Sequence, residues 1–267
     1  MKFMFKLMAS NTAQRSPLIV LALIALMFIT ACASSGNSRD RSNTQLVSDN
    51  AMIHAQLAKG YLQQKQYAVA KEELEIALRM DPNHSDANYI LGLLMMELEQ
   101  YEDAEKYLRK AVRSDKSNSP AAHDLGTFLC QRGDLDAAVD YFEIAVANPF
   151  FDNAELSYMR AGECLARAGN DKAEVYLKKA IVLNPRMRPA LYRMAVLKHN
   201  ARSYLSARAY IERYFAITKP QPASLLLAYK IESKLKANDV AARYRLELLE
   251  QFPGSSEASG LRKQSRK

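Results

Sequence analysis

The sequence predicts an all-α fold, a solenoid of about six stacked helix-turn-helix repeats from Ala51 to about residue 255. Three observations predict it. A pattern of small and large apolar residues returns about every 34 residues. Each copy places a small residue at the centre of a first helical stretch and an Ala early in a second. Most copies then close on a proline. A single unit of this kind cannot bury its own apolar face; only a stack can, and a stack presents a concave surface suited to holding a partner.

Taken in order, the first copy reads Leu57-Ala58, Tyr61, Tyr67, Ala70, Leu74, Ala77 and Pro82. The second keeps Leu91-Gly92, Tyr101, Ala104, Leu108 and Ala111, with Lys116 where proline is expected. The third carries Leu125-Gly126, Leu135, Ala138, Phe142, Ala145 and a slightly early Pro149. The fourth holds Ala161-Gly162, Leu165, Ala173, Leu177, Ala180 and Pro185, and its turn at Gly169-Asn170 is one residue short. The fifth has Met194-Ala195, Tyr204, Ala207, Ile211, Tyr214 and Pro220; the sixth and weakest has Leu225, Ala228, Ala241, Leu248 and Pro253.

These residue types suit their positions. Gly or Ala at the eighth position, and Ala at the twentieth, let the two helices of a hairpin approach closely. Large apolar residues at positions seven, eleven and twenty-four share one helical face and fill the space between. Proline stops the second helix and leads into the next unit. Aromatics such as Tyr67, Tyr101 and Tyr204 recur at equivalent positions, as packing residues would. The period and its Leu-Gly, Tyr, Ala, Phe, Ala, Pro pattern resemble the tetratricopeptide repeat, which implies a right-handed superhelix.

The first fifty residues carry a different message. Lys2, Lys6 and Arg15 precede a twelve-residue apolar run, Leu18 to Ile29, which ends in Ile29-Thr30-Ala31-Cys32. A basic start, a short apolar stretch and small residues before a cut describe a secretory signal over residues 1–31. Twelve residues span about 18 Å as a helix, against a hydrocarbon core of roughly 30 Å, so this is not a spanning helix. The end of the run resembles a bacterial lipobox, with Ile29 at the usual leucine position. That resemblance implies a thioether-linked diacylglycerol on Cys32, loss of the preceding peptide and acylation of the new amino group. Ala33, rather than aspartate, then implies sorting to the outer membrane, lipid-anchored, with the repeats facing the periplasm. Three acyl chains hold far more firmly than the single chain that binds only marginally. From Ser34 to Asp49 the chain is polar, so residues 32–50 read as a lipidated N-terminus and flexible linker.

The chain carries +8, and +5 once Lys2, Lys6 and Arg15 are removed. The excess is uneven. Between Arg186 and Lys219 eight basic residues face Glu212 alone, and residues 256–267 read as a basic tail with Arg262, Lys263, Arg266 and Lys267. A basic repeat fits either an acidic partner or lipid headgroups, or is simply a solvated helix surface. Nucleic acid is a poor partner for an exported chain. Cys130 and Cys164 lie in the first helices of neighbouring repeats, 34 residues apart, where either a disulfide or two small buried thiols would fit. No metal site is expected, because His54, His84, His123 and His199 are scattered and no Cys-x-x-Cys occurs. Nor is an enzyme or a cofactor expected. No nucleophile elbow, Walker loop, dinucleotide turn or His-Glu-x-x-His is present, and the adjacent pair His123-Asp124 points in two directions on a helix.

Several stretches are more specific than the repeat requires: "FLCQRGDLDAAVDYFEIAV", "AGECLARAGN", "AEVYLKKAIVLNP", "ARAYIERYFA" and "SLLLAYKIESKLKANDVAARYRLELLEQFP". Over roughly Ala51 to Ala258 they resemble the PilF/PilW family of type IV pilus biogenesis proteins, pilotin lipoproteins with six repeats and little else. The segments around Cys130 and Cys164 are distinctive, since generic repeats do not require cysteine there. The resemblance implies binding to the outer-membrane secretin subunit of the pilus and help with its localisation and multimerisation. The alternative is a generic periplasmic scaffold or adaptor lipoprotein for another envelope complex.

Repeat geometry also nominates a groove. Positions two, five, nine, twelve and thirteen of each first helix are expected on the concave side. They give Met52, Ala55, Lys59, Leu62 and Gln63, then Asp86, Tyr89, Leu93, Met96 and Glu97, then His123, Thr127 and Gln131. Tyr89, Leu93 and Met96 form an apolar patch with polar neighbours, fit for an amphipathic helix or extended segment, unless they belong to the core between repeats.

Overall fold

The computed structural model describes residues 36–264, with side chains over 45–263. The expected signal segment, Cys32 and the last three residues lie outside them. Thirteen helices run through the described residues: α1 Gly36–Gln63, α2 Tyr67–Met80, α3 Ser85–Glu97, α4 Tyr101–Ser114, α5 Ser119–Arg132, α6 Leu135–Ala147, α7 Ala154–Arg167, α8 Ala173–Leu183, α9 Arg188–Asn200, α10 Tyr204–Phe215, α11 Pro222–Lys234, α12 Asn238–Gln251 and α13 Ser256–Gln264. The first twelve pair as six hairpins, and α13 closes the array against α11 and α12. First helices of successive hairpins also meet along much of the array, forming one wall; second helices form the other.

The packing follows the repeat pattern. Ala70, Ala104, Ala138, Ala173 and Ala207 are fully buried at the same place in successive second helices. One turn on, Leu74, Leu108, Phe142, Leu177 and Ile211 are buried above them, as a 3.6-residue period places them. The small residue of each first helix sits opposite this turn. A Cβ at Gly92 would stand 2.8 Å from Leu108 Cγ, closer than real contacts allow. So the hairpin spacing in the second repeat depends on having no side chain there.

Each hairpin turn has one construction. Lys65, Glu99, Gly133, Gly169, Arg202 and Lys236 all take positive φ, between 58° and 89°. The next N–H reaches back to close the helix: Gln66 to Tyr61 O at 2.9 Å, Gln100 to Met95 O at 2.8 Å, Asp134 to Leu129 O at 3.0 Å. The same bond closes the later turns, through Asn170, Ser203 and Ala237, so even the weakest copy is a full repeat. Four of these left-handed residues are not glycine, which costs of order 1 kcal/mol each in a position glycine takes freely. The fourth hairpin is one residue short beyond this turn; there Ala173 N bonds Asn170 O at 3.0 Å, a tighter start to α8.

Both ends depart from the expectation. The stretch expected as a flexible linker is helical from Gly36 and runs unbroken into the first repeat. Ala51, Ala55 and Ala58 anchor α1 in the core; once that nucleus exists, adding residues upstream is cheap, and nothing from Asn37 to Asn50 is Gly or Pro. At the other end, residues 256–264 form α13 rather than a simple basic tail. Ala258 and Leu261, three apart on one face, are buried against Leu225 and Leu248. The charged face of α13 caps a solenoid that would otherwise end on exposed apolar surface.

Candidate partner-binding groove

The expected groove residues separate into two groups. Those at positions nine, twelve and thirteen line open space. Leu62 and Gln63 at the end of α1, Lys65 in the turn, and Leu93, Met96 and Glu97 of α3 surround a cavity of about 340 Å³ with mainly apolar walls. Tyr67 Oη donates to Glu97 Oε2 at 3.3 Å on its rim. Met52 and Lys59 are exposed further back on α1, at helical spacing from Leu62 and Gln63.

Those at position five do not line it, which corrects the expected register. Ala55 is fully buried. Tyr89 Oη donates to Asp124 Oδ2 at 2.6 Å, joining α3 to α5, and burial, then the charge of Asp124, push its phenol far above the usual range. His123 Nδ1 meets Ser157 Oγ at 2.7 Å, joining α5 to α7, with its ring against Phe142 and Phe151. Burial lowers the imidazole pKa; Asp124 opposes this and Arg160 reinforces it. Position five points along the stack into the seam between repeats, so Tyr89 and His123 set the inter-repeat geometry instead of offering a surface. The adjacent pair His123-Asp124 serves different neighbours, as its placement on a helix implies.

A second, smaller cavity of about 130 Å³ opens on the same wall at repeats three and four. Thr127 and Gln131 of α5 line it with Arg160, Glu163 and Arg167 of α7, over Phe142 and Cys130. Thr127 Oγ1 donates to His123 O at 3.1 Å. Cys130 and Cys164 are bridged, with Cα atoms 5.9 Å apart, so a covalent tie fixes α5 against α7 beside this cavity. Arg160 and Arg167 went unremarked in the sequence, although their i, i+7 spacing puts them on one face of α7.

Three of the eight basic residues of the fifth repeat are answered by carboxylates within the fold. Arg193 pairs with Glu163, Lys198 with Glu174 at 2.7 Å, and Arg208 with the buried Glu232, Nε to Oε1 at 2.8 Å. These bonds tie the fifth repeat to the fourth and sixth. Arg186, Arg188, Arg202 and Lys219 remain exposed.

Six hairpins with a small residue at each close approach, a common left-handed turn and a grooved inner wall define a tetratricopeptide-repeat protein. Residues 56–122 match the tetratricopeptide repeat family directly. Beyond the repeat, the chain is 27% identical over 244 residues to the type IV pilus assembly protein PilF of Pseudomonas aeruginosa strain PAO1, covering 91% of this chain and 96% of that one. The solved structure of Pseudomonas aeruginosa PilF superposes with a TM-score of 0.69 at 26% identity, over 82% of this chain and 99% of the other. That of PilW, described as a widely conserved type IV pilus biogenesis factor, superposes at 0.65 and 28% identity, over 79% and 97%. Over most of its length the chain is similar to the type IV pilus proteins PilF and PilW.

Proposed function

We propose that this protein is a pilotin: a non-catalytic outer-membrane lipoprotein, anchored through Cys32, that binds the secretin of the type IV pilus and promotes its localisation and multimerisation. The observation that carries the reading is the apolar groove between α1 and α3, at Leu62, Leu93 and Met96, in a chain similar to two pilus proteins. Exposed apolar walls with a charged rim suit a segment of another protein. The six repeats use nearly the whole described chain, so binding is the activity the fold offers.

The test is Cys32→Ala in a strain expressing only this copy. Without the thiol no diacylglycerol is attached, and the repeats reach the periplasm untethered. The expected result is loss of denaturant-resistant secretin multimers from the outer-membrane fraction and loss of surface pili, with normal levels of the repeat protein. Multimers at wild-type levels in that fraction would overturn the proposal.

A further inference from the structure

We propose that the wall at repeats three and four holds a subsite for a carboxylate, taking the aspartate or glutamate side chain of a bound polypeptide segment between Arg167 and Arg160. The inference rests on the reading of the concave wall as a polypeptide-binding surface, and it assigns that surface a second, charged contact away from the apolar groove.

Charge balance is the first argument. Arg160 and Arg193 converge on one carboxylate, Glu163, and Arg167 lines the same cavity. Arg160 Nη1 is 3.2 Å from Glu163 Oε2, and Arg193 takes the other oxygen. One carboxylate thus stands against three guanidiniums on this wall, and its two bonds go to Arg160 and Arg193. Among the described residues Arg167 meets Cys130 Sγ, and sulfur is a weak acceptor for a group with five N–H donors. Arg167 as a residue is exposed on the wall. A carboxylate entering the cavity replaces that weak contact with a charge-assisted, bidentate one, the pairing for which a planar guanidinium is built.

The cavity supplies the second argument. At about 130 Å³ it admits a carboxylate and its methylene stem. Its floor of Phe142 and the disulfide excludes water from one side, which strengthens an ion pair relative to open solvent. Gln131 and Thr127 line the cavity together with the two arginines and Glu163. The Cys130–Cys164 bridge holds α5 and α7 in fixed relation, so Arg167 and Gln131 are presented by a rigid frame and lose little freedom on binding.

The repeat itself supplies the third. Gln63, Glu97, Gln131 and Arg167 occupy the same place in four successive repeats. Along this row the wall changes from acidic at Glu97, beside the apolar groove, to basic at Arg167. A segment lying along it with an apolar residue over Leu93 and Met96 therefore has a preferred direction, with its carboxylate toward repeat four.

The test is a selection from a random dodecapeptide library on the full mature chain, with the best peptide then measured by fluorescence anisotropy. Enriched peptides are expected to share an Asp or Glu at one fixed position. Exchanging it for Asn or Gln is expected to weaken binding about tenfold on the wild type and less than twofold on Arg167→Gln, whose exposed position leaves the melting curve unchanged. Enrichment without an acidic position, no enrichment, or an equal loss on both proteins overturns the subsite. A chain that selects acidic peptides yet fails to assemble the secretin loses the proposed function and keeps the subsite; the reverse result removes the subsite alone.

Discussion

Replacing Gly126 with leucine lowers the thermal midpoint of the protein by about 2–12 °C, the outcome expected from an overpacking cost of roughly 1–3 kcal/mol in a chain of this length. A Cβ at residue 126 would lie 3.0 Å from the carbonyl oxygen of Ala138 and 3.0 Å from Cδ1 and Cε1 of Phe142. Phe142 is 1% exposed and packed in the core, and the carbonyl belongs to the backbone of α6. So α5 and α6 must separate, and the rest of the leucine side chain widens the gap. Because each repeat contacts only its neighbours, the damage should concentrate in repeats two to four, read out as faster amide exchange there than in α9–α12. Gly60→Ala is the control: a Cβ there meets nothing within 4 Å, and removing a helix-interior glycine is expected to be neutral or mildly stabilising. Equal melting of Gly126→Leu and wild type would refute the assigned register.

Breaking the Cys130–Cys164 bridge is the second large effect. It closes a loop of sequence separation 34, for which chain entropy gives about 3–4 kcal/mol of stabilisation. The reduced protein, or Cys130→Ser with Cys164→Ser, should melt well below the oxidised form. Urea unfolding should shift its midpoint by a matching amount, with repeats three and four opening first. Both cysteines are nearly inaccessible, so thiol labelling is done under denaturing conditions. Quantitative alkylation of both without reductant would contradict the bridge.

Much of this fold is legible in the sequence because the repeat forces the same packing problem to be solved six times. Gly92, Ala104 and Leu108, or Gly126, Ala138 and Phe142, are unambiguous since a small residue, a second small residue and a large one must meet at one crossing. The groove is less legible. Position five and position nine both lie on the inner side of the first helix, and sequence spacing alone does not tell which faces the next repeat. Tyr89 and His123 turn out to fill the seam, while Leu93 and Met96 face the opening. Lys65, Glu99, Arg202 and Lys236 carry no glycine signal, yet each adopts the left-handed turn, because the closing hydrogen bond and the packing of both helices outweigh the local strain. The helical start of α1 was hidden by polar composition, and α13 by its charges, although Ala258 and Leu261 carry the apolar spacing. Arg208 reads as part of a basic surface, and only the stacking of repeats five and six brings it to Glu232, 24 residues away.

The central claim is that the inner wall at repeats one and two receives the secretin. The most direct measurement places a photoactivatable residue at Met96 in the full chain and irradiates intact cells. The account predicts a covalent adduct containing the secretin subunit from Met96. It predicts none from the same group at Val182, which is 77% exposed on the outer helix α8. Absence of a secretin adduct at Met96, or equal adducts from both positions, would contradict it.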